Sequence, residues 1–104
     1  MEIEISRLLI SHRHILDKYH VRKLGLFGSH ARGDETRESD IDLLVDFEDS
    51  AFGPDFAGYF DAMTSLVDEL EGILHARVDL VTPDMLSPHI APQILSEVRY
   101  VVCR

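Results

Sequence analysis

The chain of 104 residues sets 10 Lys+Arg against 19 Asp+Glu, a formal charge of −9, with 45% hydrophobic and 28% charged residues. That length and balance predict one globular domain over residues 1–104, large enough to bury a core without staples, and exclude wholesale disorder. One cysteine, Cys103, allows no internal disulfide, no apolar run reaches the ~20 residues that span a bilayer, and the start Met1-Glu2-Ile3-Glu4-Ile5 is not a signal peptide. A cytoplasmic protein with no membrane association is expected.

In chain order, residues 5–19 place Ile5, Leu8, Leu9, His12, Ile15, Leu16 and Tyr19 at helical spacing, an amphipathic helix with one buried stripe. On that stripe His12 reads as a core histidine with its polar atoms satisfied. Residues 22–27 end in the short apolar run Leu24-Gly25-Leu26-Phe27, a buried strand. Residues 28–39 are rich in Gly, Ser, Asp and Glu and predict a turn with a short helix. Residues 40–47 form a second strand, and residues 48–55, with Gly53 and Pro54, a loop. Residues 56–74 carry the strongest helical pattern, from Phe56 through Leu74. Residues 77–81 form a third strand, punctuated by Thr82-Pro83-Asp84. Residues 88–102 predict a final helix interrupted at Pro92. The resulting order is an α/β (α+β) architecture, a small mixed sheet flanked by helices.

Three pieces of this chain carry candidate chemistry. First, an apolar strand runs into Gly28-Ser29 at the start of a short helix. Glycine lets a ligand approach the backbone, and free N–H groups with a serine hydroxyl suit a phosphate, although Gly-Ser after a strand is commonly only a turn. Second, Asp40 and Asp42 flank Ile41 on a strand, so both acids point to one face. At a spacing of ~6.5 Å two full charges repel by roughly 2.5 kcal/mol at an effective dielectric near 20. A hard cation such as Mg²⁺ between them relieves that cost; simple exposure at the strand's edge does so too. Third, Asp79 lies between Val78 and Leu80 in the third strand. A carboxylate in a central strand is costly unless paired or metal-bound. If that strand neighbours the second, Asp79 falls beside the Asp40/Asp42 pair and a two-metal site becomes available; an ion pair with Arg77 or another arginine is the alternative.

The string Gly28-Ser29-His30-Ala31-Arg32-Gly33, then Ser39-Asp40-Ile41-Asp42-Leu43-Leu44-Val45, resembles the signature of the nucleotidyltransferase superfamily with the DNA polymerase β-like fold. In size the chain is most similar to the minimal nucleotidyltransferases (MNT), antitoxins that act beside HEPN-domain ribonuclease toxins. The resemblance implies that Gly28 and Ser29 hold the β- and γ-phosphates of ATP. It further implies that Asp40 and Asp42 bind two Mg²⁺ ions, and that Asp79 completes the ligand set and orients or deprotonates the acceptor hydroxyl. Asp40, Asp42 and Asp79 are then the catalytic and metal-binding residues. Arg32 stands where the family often has arginine, to reach a phosphate or an acid of the site; a structural ion pair is the competing reading. Arg37 and His30 are expected at the surface. No His/Cys cluster points to zinc.

The resemblance implies transfer of AMP from ATP to a tyrosine of a HEPN toxin, with acceptor recognition supplied by the partner because the chain is short. A catalytically silent antitoxin that acts by binding alone is the alternative. A transferase acting on RNA or a small molecule is a third reading. Residues 1–37 hold seven Lys/Arg and five Asp/Glu, a sum of +2, whereas residues 38–104 hold three and fourteen, a sum of −11. So acidic a chain is repelled by nucleic acid, which disfavours direct RNA binding, and residues 46–71 offer an acidic surface to a basic partner.

Overall fold

A computed structural model describes residues 2–34, 36, 40–48 and 58–103. Two short helices, α1 (Glu2–Ser11) and α2 (Arg13–Lys18), lead into β1 (Val21–Phe27) and a single-turn helix, α3 (Ser29–Arg32). β2 (Ile41–Phe47), α4 (Tyr59–Leu74) and β3 (Val78–Val81) follow. A 3-10 turn (Pro83–Met85), α5 (Ala91–Glu97) and β4 (Arg99–Cys103) complete the order. The four strands form one sheet in the order β3-β2-β1-β4. β1 is antiparallel to both β2 and β4, while β2 and β3 are parallel, with α4 as their crossover helix. The expected small mixed sheet with helices is therefore present.

Period-two alternation decides what each sheet face carries. Ile41, Leu43 and Val45 of β2, Leu24 and Leu26 of β1, and Val78 and Leu80 of β3 are buried in one core. Ile5 and Leu9 of α1, Leu16 of α2, and Leu66, Leu70 and Leu74 of α4 close that core from the helical side. Asp42, Asp79 and Phe27 alternate with these residues and belong to the opposite face. Among the described residues no helix is long and apolar enough to cross a membrane.

The helix expected over residues 5–19 is broken in two at His12. The His12 backbone N–H is shared between the Leu8 and Leu9 carbonyls at 3.1 and 3.2 Å. Its ring Nδ1–H donates to the same Leu8 oxygen at 2.8 Å. The half-buried ring is thus satisfied locally, as expected, while its backbone leaves helical geometry at φ −112° and ψ 25°. The kink lets both pieces lay leucines into one core.

The last expected helix needs a larger correction. Only Ala91–Glu97 is helical, with Pro92 in the first turn, where a missing N–H costs nothing. Residues 99–103 are a strand. Their apolar spacing fitted a helix, but Tyr100-Val101-Val102 is also a β-branched and aromatic run that suits a pleated surface. The far edge of β1 supplies the ladder partners that settle the choice. Gly25 makes the pairing fit: it lies opposite Tyr100, and a Cβ there would stand 2.5 Å from Val98 Cγ2. The short helix expected within residues 28–39 is α3. Arg37, Ser39, Phe56 and nearly all of the 48–55 loop lie outside the described residues.

Candidate active site

Strand register builds the site. β2 sits between β1 and β3, so each of its residues has a neighbour on both sides. Asp42 is opposite Phe27 of β1 and directly beside Asp79 of β3. Residues paired in this way point to the same face, which places the two carboxylates on one rung. Two hydrogen bonds fix β3 in that register. The Ile41 N–H donates to the Arg77 carbonyl at 2.8 Å, and the Val78 N–H donates to Glu71 Oε2 of α4 at 2.9 Å. Asp40 precedes β2 and is exposed. β3 is an edge strand, and Asp79 is exposed rather than buried in a central strand. The cost of burying Asp79 therefore plays no part in its placement. Among the described residues Asp79 forms no ion pair with Arg77.

At the end of β1 the chain turns through Gly28, whose φ of 76° and ψ of −154° favour glycine. A Cβ at Gly28 would run into the Asp42 carboxylate. The glycine expected to admit a ligand thus also makes room for the central acid. Its carbonyl accepts the N–H groups of Ala31 and Arg32 at 3.1 and 3.0 Å, which forms the single turn of α3. Gly33 ends that turn in the left-handed region, and its N–H donates to the Ser29 carbonyl at 2.9 Å. Four residues carry little macrodipole, so any anion held here depends on individual N–H groups and on Arg32.

α3 turns His30 and Ala31 inward. His30 is 4% exposed and not at the surface as its type suggested; it lies where its charge would act favourably on Asp42. Arg32 is exposed and spans two acids, with Nε 3.3 Å from Asp34 Oδ2 and Nη1 3.4 Å from Glu97 Oε1. Its ion-pair reading is realised, while its head remains at the rim of the site. Glu97 Oε1 also accepts the Gly28 N–H at 3.2 Å. Sequence reasoning passed over Glu97. The one signal was an acid in the last turn of a short helix, where exposed carbonyls disfavour negative charge.

Half-buried Asp42 has its pKa raised. Burial is the largest cause, followed by the negative charges of Asp79 and Asp40; His30 and Arg32 offset them in part. Carboxylate oxygens whose mutual repulsion is only partly offset fit a hard divalent cation better than a soft one. Among the described residues, however, no three His, Cys, Asp or Glu side chains are gathered closely enough to hold a metal ion, so the expected convergence of all three acids is not reached. The register brings Asp42 and Asp79 together and leaves Asp40 at the strand's entrance.

The profile of the polymerase β nucleotidyltransferase family matches residues 12–104. The chain belongs to that family. A protein of Methanocaldococcus jannaschii, provisionally named a protein adenylyltransferase, is 41% identical over 100 residues, which cover 94% of this chain and 95% of that one. The protein adenylyltransferase MntA of Thermococcus cleftensis is 39% identical over 99 residues, 94% and 93% of the two chains. A crystal structure of a mutant of the toxin-antitoxin MntA-HpeT superposes with a TM-score of 0.60 at 25% identity, over 100% of this chain and 73% of that one. The matched span includes the Gly28-Ser29 corner, Asp40, Asp42 and Asp79 of this nucleotidyltransferase.

Proposed function

We propose that this protein transfers AMP from ATP to a tyrosine hydroxyl of a partner HEPN toxin and so acts as the antitoxin of a toxin-antitoxin pair in the cytoplasm. The observation that carries the reading is the rung shared by Asp42 and Asp79, with Gly28 folded against the Asp42 carboxylate. The relatives named protein adenylyltransferases support a protein acceptor, and the likeness to the toxin-antitoxin complex supports a toxin as that acceptor.

Each residue takes a role that its place allows. Gly28 and Ser29 offer a backbone N–H and a hydroxyl to the β- and γ-phosphates, and Arg32 reaches the same anions from the rim. Asp40, Asp42 and Asp79 would hold Mg²⁺, two ions by the family resemblance, which when bound neutralises phosphate charge and the charge of the departing pyrophosphate. Asp79, exposed at the sheet edge, faces the side from which a protein acceptor can approach. There it orients the tyrosine hydroxyl and takes its proton. The hydroxyl oxygen bonds to the α-phosphorus, the bond from that phosphorus to the bridging oxygen breaks, and pyrophosphate leaves with the electron pair. The AMP added to the toxin places negative charge where RNA would bind.

The test is intact-mass spectrometry of the co-encoded partner after incubation with this protein, ATP and Mg²⁺. An increase by the mass of AMP is expected. A partner that is bound and neutralised with its mass unchanged would establish the alternative, an antitoxin that works by covering its target.

A further inference from the structure

Glu97 ends α5, two residues before the start of the ladder between β4 and β1. Its Oε1 accepts from two donors, the Gly28 N–H at 3.2 Å and Arg32 Nη1 at 3.4 Å. Its side chain is 19% exposed, so the carboxylate lies down in the site and not out in water. Both donors are anion-binding groups, and a guanidinium accepts a carboxylate or a phosphate with the same geometry. A carboxylate oxygen and a phosphate oxygen cannot occupy one position, and keeping both close together sets like charges against each other.

We propose that Glu97 is an internal competitor for the phosphates of the nucleotide. Its carboxylate occupies the Gly28 N–H and the Arg32 guanidinium in the nucleotide-free protein and leaves them when a nucleoside triphosphate enters. The inference rests on reading the Gly28-Ser29 corner as a triphosphate site. The docked carboxylate lowers apparent affinity in proportion to the fraction of molecules that hold it in place. Its return favours release of pyrophosphate, the product that carries the β- and γ-phosphates. Because Glu97 adjoins Val98 and β4, which pack on Gly25 of β1, the displacement is confined to the Glu97 side chain and the last turn of α5.

A strut that only holds the Gly28 turn against α5 would give the opposite sign when removed. The experiment is calorimetric titration of ATP, pyrophosphate and AMP, with Mg²⁺ present, into wild type, Glu97→Gln and Glu97→Ala. Both variants are expected to bind ATP and pyrophosphate about tenfold more tightly than wild type, a difference of ~1.4 kcal/mol. AMP, which lacks the β- and γ-phosphates, is expected to bind all three proteins alike. Equal or weaker ATP binding by variants that melt cooperatively overturns the proposal, and so does an equal gain for AMP. If AMP and ATP bind wild type with the same affinity, the triphosphate reading of the corner fails and the competitor fails with it. A measurement on wild type alone guards against misfolded variants. The Gly28 amide resonance is expected to shift on saturation with inorganic tripolyphosphate, and an unmoved resonance overturns the proposal.

Discussion

Asp42 is the residue on which the site turns, and its surroundings make two effects separable. The folded protein raises its pKa through burial and through Asp79 and Asp40, so between the ordinary carboxylate pKa and this raised one the native state binds more protons than the unfolded chain. Stability of the metal-free protein therefore falls as pH rises through that window, and the penalty is fully present above it. Asp42→Asn removes it. The variant is expected to melt a few degrees higher than wild type at pH 7 without metal, with the difference closing toward acid pH. Calorimetry across pH checks this, and an unchanged or lower melting temperature would contradict the repulsion. Gly28→Ala should act the other way. The left-handed conformation alone costs about 1–3 kcal/mol in a residue with a side chain, and the new methyl group meets the Asp42 carboxylate. Lower stability in urea together with loss of transfer is expected. Much of this was legible in the sequence: Gly-Ser after a strand, and two acids in alternation. The burial of His30 and the reach of Glu97 to Gly28 were not, because both depend on how a four-residue helix and a distant chain segment pack against one strand end.

Among the elements, the strands that carry the aspartates were legible because short apolar runs bounded by polar residues have few other uses. Two boundaries were not. His12 looked like one more residue of a continuous stripe, yet its bond to the Leu8 carbonyl divides the helix. Residues 99–103 kept helical spacing but became a strand, because the open edge of β1 offers ladder hydrogen bonds that no isolated segment can provide. Gly25 is the position that admits this pairing. Gly25→Val would drive a side chain into Val98 Cγ2 and the Tyr100 ring. Overpacking of this kind costs about 1–3 kcal/mol. Urea unfolding is expected to show a lower midpoint with an unchanged slope. A midpoint equal to that of wild type would show that β4 can move away freely.

For the whole molecule, the net charge of −9 bears on encounter with a partner and not on the fold. If the acceptor is a basic protein, association should slow as salt rises, since screening shortens the Debye length from about 10 Å at 0.1 M to about 3 Å at 1 M. Stopped-flow mixing with the proposed toxin partner checks this, and a rate indifferent to salt would remove charge as the guide. The proposed transfer depends on something more local, the rung that sets Asp42 beside Asp79. The most direct measurement is the rate at which radiolabelled AMP from ATP enters the partner with wild type, Asp42→Asn and Asp79→Asn, at matched concentration and saturating Mg²⁺. Losing one charged group that acts on the transition state typically costs a hundredfold or more, and both variants are expected to fall at least that far. Transfer by Asp79→Asn at the wild-type rate, in protein that melts normally, would contradict the account.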